Sequence, residues 1–297
     1  MLHFLIFFPI IATKIFRLFH TNMITINPNV KFSYNLTRGT LNSRREFVSK
    51  LNEQFFDSFT RLFDGKKVKL SDLKKVYEAN LPERKKIDVK KMKAKEFIDG
   101  KCDYKYSDMG YGTDIIGLTL ELPIKNSKVN PTDLPTIMHE NTHILSALSI
   151  PKVMALVQKM TKQNQYTNAY SNWFMNTFYC FEDFDENYTP MDMVKKVIDN
   201  TNKFLKGKTY KEKIQYLQDV RYQLEEEIHA FEEQNKFALK LKEKGCPINE
   251  EDIQDYEGDF QFTKKLELIK EIMIDIFRKK KQKNFEKYGW KQNAYKL

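Results

Sequence analysis

The chain has 297 residues, of which 41% are hydrophobic and 13% aromatic. That balance excludes a disordered or fibrous protein and allows one or two domains with a sizeable core. The net charge is +10, but the basic residues are scattered rather than gathered on one stripe, so no nucleic-acid partner is expected from charge. Cys102, Cys180 and Cys246 are three thiols without metal-like spacing. An odd, unclustered set argues against a disulfide framework and favours a reducing, cytoplasmic compartment.

Along the chain, Leu2 to Ala12 is apolar but falls short of the roughly 18 residues needed to span a bilayer. Lys14 and Arg17 follow this run instead of preceding it, and no small-residue cleavage site marks a signal peptide. Residues 1–22 therefore read as an N-terminal extension ahead of a start at Met23, with a weak membrane anchor as the alternative. Membrane contact is expected only if that segment belongs to the protein, and secretion is not excluded.

Residues 23–129 read as an α/β lobe. Phe47, Leu51, Phe55, Phe59 and Leu62 recur at helical spacing over 43–63. A second helix is predicted over 71–80, closed by Pro82, and the lysine-rich stretch 84–95 reads as exposed. Residues 104–122 form the strand region, with Gly110 and Gly112 marking a turn and 114–122 alternating in part.

Residues 130–249 read as a mainly helical lobe. Thr132 or Asp133 can cap a helix that tolerates Pro135 in its first turn and cannot pass Pro151. Further helices are predicted over 152–163, 170–181, 190–205 and 210–244. The last has a Thr209–Glu212 capping box and Gly245 at its far end. Residues 250–297 add a helix over about 263–283 and a tail whose final 20 residues hold eight cations against Glu286 alone.

The first of these helices carries His139-Glu140-Asn141-Thr142-His143, an H-E-x-x-H motif. Histidines four apart project from one helix face and can share a tetrahedral metal, while the intervening glutamate sits where it can polarise a metal-held water. Leu134, Ile137, Met138, Ile144, Leu145 and Leu148 make one apolar stripe. The two histidines point nearly opposite to it, toward a groove or a second lobe, with Glu140 at its margin. Asn141 falls on the stripe, which suggests a structural role.

A catalytic zinc needs a third protein ligand. In the helix over 210–244, Leu217, Val220, Leu224, Ile228, Phe231 and Ala238 define the buried stripe. Glu227 lies close to that stripe, whereas Glu225, Glu226 and His229 point toward solvent. Glu227 is the carboxylate expected inside, where a cation would compensate its burial.

These features resemble the zincin metallopeptidases. Glu227-Ile228-His229-Ala230 is similar to the E-x-x-A element of gluzincins, in which a second helix supplies a glutamate ligand. The resemblance implies an α+β fold with a mixed N-terminal lobe, a small sheet, a mainly helical C-terminal lobe and the active site in the cleft. It implies one zinc per chain on His139, His143 and Glu227, with Glu140 as general base in the hydrolysis of a protein or peptide substrate. It also implies an edge strand, here the one over 114–122, that holds extended substrate by β-addition. Tyr222, Arg221 and His229 are candidate oxyanion donors.

Two other readings remain. Glu140-x-x-His143 and Glu226-x-x-His229 are both E-x-x-H, the pattern of di-iron carboxylate bundles, although the preceding strand interrupts a bundle. A catalytically inactive zincin-fold binding module is the second, and an intact Glu140 argues against it.

Overall fold

A computed structural model describes residues 41–64, 66–81, 86–92, 101–106, 115–122, 124, 128–149, 168–179, 189–248, 253 and 261–293. Helix α1 (Leu41–Phe63), strand β1 (Val68–Lys69) and helix α2 (Leu70–Asn80) lead into strands β2 (Lys86–Lys91), β3 (Lys101–Tyr106), β4 (Ile115–Leu122) and β5 (Lys128–Val129). Helices α3 (Leu134–Ser149), α4 (Asn168–Phe178), α5 (Pro190–Leu205), α6 (Tyr210–Glu243) and α7 (Phe262–Asn293) follow. The architecture is α+β, mostly helical with two small sheets. The expected helix over 152–163, the turn at Gly110 and Gly112, and residues 1–22 lie outside the described residues.

In the three-stranded sheet the order is β2-β4-β3, with β2 parallel and β3 antiparallel to β4. The strand over 114–122, expected at an edge, is therefore the middle one. Alternation puts Leu118, Leu120 and Leu122 on one face, all buried. The lysine-rich stretch over 84–95, expected to be exposed, supplies β2, whose Ile87 and Val89 are buried. Period-2 spacing hides two aliphatic side chains between outward lysines there, which composition alone conceals.

Two apolar clusters organise the molecule. In the first, Phe55, Phe56 and Phe59 of α1 meet Tyr77 of α2, Leu120 of β4, Ile137 and Leu145 of α3, and Phe237 and Leu241 near the end of α6. The second gathers Trp173 and Phe174 of α4, Val197 of α5, Leu217 and Leu224 of α6, and Phe262 and Ile269 of α7. Helix α6, 34 residues and so about 50 Å long, runs through both. Its length follows from its ends. The Thr209 N–H donates to the Glu212 carboxylate (2.8 Å). At the far end Gly245 takes a φ of +79°, so that the Cys246 N–H returns to the Leu241 carbonyl (3.0 Å).

Helix α3 is not entered through a Thr132 or Asp133 cap as expected. A 3-10 turn, Pro131–Asp133, precedes it, and the Asp133 carboxylate accepts the Asn130 N–H (2.7 Å). Of the 16 residues of α3, 14 are buried, so the helix is central rather than amphipathic. Its apolar stripe meets the first cluster and its opposite side meets α6. Among the described residues no helix is long and apolar enough to cross a membrane.

Candidate metal centre

Where α3 crosses α6, His139 and His143 face Glu227. The two Nε2 atoms are 3.3 Å apart, and each lies 3.5 Å from Glu227 Oε2. These lengths exceed the 2.7–3.2 Å of ordinary N–H···O hydrogen bonds. A tetrahedral zinc with bonds of about 2.0–2.1 Å holds its ligand atoms roughly 3.3–3.4 Å apart. The donor triangle thus has the edge lengths of a metal site. Two imidazoles and a carboxylate are also a donor set that could hold a divalent ion, and among the described residues they form the one such group.

Packing fixes these side chains. The His139 ring meets Phe231 edge-on at 4.5 Å and His143 at 5.0 Å. Its Nδ1 is buried with no hydrogen-bond partner among the described residues. Burial by itself would raise the Glu227 carboxyl. The charge of His143 and the close approach of both imidazoles outweigh it and hold the group well below the usual carboxylate range. Reciprocally, burial pulls His143 down, but the Glu227 carboxylate and then Glu140 push it above its ordinary value.

Glu140 is buried beside them. Burial pushes its carboxyl up; the charges of His139 and His143 oppose this, the Glu227 charge adds to it, and a hydrogen bond from the Cys102 thiol tempers it. A carboxyl raised in this way suits a base working near neutrality. Tyr77 lies close enough to feel the Glu140 charge, and its hydroxyl is buried without a hydrogen-bond partner among the described residues.

Helical phase turns Glu227 toward the inward side of α6, and there it faces the two histidines with its side chain 13% exposed. The neighbours expected to face solvent are buried more deeply: Glu225, Glu226 and His229 are 7%, 6% and 3% exposed. One stripe cannot describe a helix packed by α3, α1 and α7 on different sides. Glu225 is held by Arg221 (2.9 Å) and approached by Lys270 of α7 (3.7 Å). His229 Nε2 meets Ser49 Oγ of α1 (3.3 Å). Neither Glu226 nor His229 joins the donor triangle, so the second E-x-x-H half of a di-iron pair is not assembled with the first.

Of the expected oxyanion donors, Arg221 is engaged by Glu225 and His229 by Ser49. A hydroxyl that reaches the site and was not expected there is that of Tyr179, just past the end of α4, which hydrogen-bonds to Glu227. Burial is the main force raising this phenol, and the Glu227 charge adds to it. A tyrosine following a helix carries no spacing signal, and Cys102 is one thiol among three; neither could be read from the chain.

Behind α3, on the side of α1, a second polar cluster anchors the motif. Asn52 donates to Thr142 Oγ1 (2.8 Å) and Glu233 Oε2 (3.0 Å) and accepts from Asn141 Nδ2 (2.8 Å). Asn141 therefore has the structural role expected of it. Two motif residues, Asn141 and Thr142, are held from behind while His139 and His143 face forward.

No protein-family model, curated protein or solved structure matches this chain.

Proposed function

We propose that the protein is a zinc-dependent metallopeptidase of the zincin type, gluzincin-like in drawing its third ligand, Glu227, from a second helix. The observation that carries the reading is the triangle of His139, His143 and Glu227 donor atoms at 3.3–3.5 Å, with the buried carboxylate of Glu140 beside it. His139, His143 and Glu227 would hold the ion. Bound zinc would supply Lewis acidity and bring a water's pKa to about 7.

The rest falls to the chain's own groups. Glu140, its carboxyl raised by burial, accepts the water's proton and passes it to the leaving amine. The Cys102 thiol holds one side of that carboxylate. Tyr179, hydrogen-bonded to Glu227, spends its one O–H on that carboxylate and so keeps the third ligand turned toward the two histidines. Because β4 is the central strand, an extended peptide would add instead to the outer edge of β3, which carries Cys102 against Glu140.

The test is metal content together with turnover of fluorescein-labelled casein. Purified chain should hold about one zinc, and Glu140→Gln should keep that zinc while losing at least about 100-fold in rate. Loss of zinc from Glu140→Gln, or hydrolysis unchanged by it, would overturn the assignment.

A further inference from the structure

Lys265 lies in the first turn of α7 and is 0% exposed. Burying an ammonium is costly unless it is hydrogen-bonded or paired, so the position requires a specific partner. The structure supplies one in the backbone carbonyl of Phe178, which the ammonium reaches at 3.3 Å. Phe178 is the last residue of α4, so this carbonyl belongs to the negative end of the helix, where a cation is favoured.

That carbonyl belongs to the peptide unit whose nitrogen is Tyr179. One turn earlier on α7, Phe262 packs against the Tyr179 ring at 5.3 Å. It also stacks on Phe231 at 5.9 Å, the same ring that fixes His139. The first turn of α7 thus grips Tyr179 by backbone and ring together. With its peptide plane and its ring both held, the hydroxyl has little freedom except to point at Glu227.

We infer that Lys265 is a positioning residue for the metal centre, acting through Tyr179: it fixes the Phe178–Tyr179 peptide so that the phenol keeps Glu227 oriented as a ligand. A hydrogen-bond partner behind a metal ligand commonly contributes 10–100-fold in affinity. Lys265, which is not one of the three donor residues, transmits part of that effect. The inference rests on the metal reading given above and deepens it.

The experiment is zinc affinity by competition with a chromogenic chelator, which needs no substrate. Tyr179→Phe should weaken zinc about 10-fold, and Lys265→Met should weaken it several-fold with the helical circular dichroism unchanged. The double variant should bind no worse than Tyr179→Phe alone, because the path is already cut. A merely structural lysine would instead give losses that multiply. Should Lys265→Met not fold, Lys265→Gln carries the same comparison, being uncharged and too short to reach Phe178. Wild-type affinity in a folded Lys265 variant, or multiplicative losses in the double, overturns the inference and leaves the metal reading standing. A wild-type chain that takes up no zinc overturns both.

Discussion

Replacing Asn52 by leucine should cost this protein a large fraction of its stability although the two side chains share the same branched skeleton. Asn52 is 0% exposed and makes three buried hydrogen bonds, to Thr142, Glu233 and Asn141. Their loss is unequal. Thr142 still donates to the Met138 carbonyl (2.8 Å) and suffers little. The Asn141 amide loses the acceptor for its Nδ2. Glu233 keeps Ser49 and Lys236, but both sit on Oε1, so Oε2 loses the donor it had. Stranding a buried neutral donor costs about 1–3 kcal/mol and a charged acceptor more. Leucine's greater hydrophobicity returns roughly 1 kcal/mol. The net expectation is a loss of about 3–5 kcal/mol, against a total of about 5–15 for a typical domain. Urea denaturation followed by circular dichroism should show a lower midpoint at unchanged slope. A cycle with Glu233→Gln should show coupling, since both variants remove the same bond. A loss under about 1 kcal/mol would refute this account of how α3 is anchored.

Glu227→Ala should abolish stoichiometric zinc in metal analysis, while Glu225→Ala, Glu226→Ala and His229→Ala keep it; zinc lost on any of these three would mean the ligand set is wrong. Tyr77→Phe should leave stability unchanged or raise it by about 1 kcal/mol, since the hydroxyl is buried without a partner among the described residues; a loss above that size would reveal a water bridging it to a neighbour. Zinc at about 100 times its Kd should stabilise the chain by roughly 2.7 kcal/mol in thermal melts, and His139→Ala should show no such gain. Without metal, the two coupled groups set opposite limits. Glu227, depressed from 4.5, contributes stability above about pH 4.5 that is lost as pH falls. His143, raised from 6.5, contributes below about pH 6.5 and loses its contribution as pH rises through its raised value. The metal-free chain should therefore melt highest between about pH 4.5 and 6.5, and zinc should extend that plateau upward. A melting temperature still rising above pH 7 in the metal-free chain would contradict the coupling.

Most helices were legible because each has local punctuation. The capping pairs Thr209–Glu212 and Thr189–Asp192 fix two N-termini, and Gly245 closes α6. The helix over 190–205 was read with the bounds it has. The sheet was less legible. Strand order depends on contacts between segments far apart in sequence, so β4 read as an edge strand and lies in the middle, and β2 read as a solvated lysine run.

The sequence by itself determined the facing of the candidate centre. Four-residue spacing puts His139 and His143 on one side of α3, and helical phase puts Glu227 on the inward side of α6; both are properties of a single helix and need no neighbour. Only the tertiary structure decided what surrounds them. A wheel assigns one buried side, yet α6 is packed by α3, α1 and α7, so Glu225, Glu226 and His229 are buried as well. Tyr179, Cys102, Asn52 and Lys265 come from four elements other than α3 and α6, and no periodicity within one element can specify a meeting among six. Each donor to the centre is placed by its own helix, but its hydrogen-bond partners are placed by the way the helices pack.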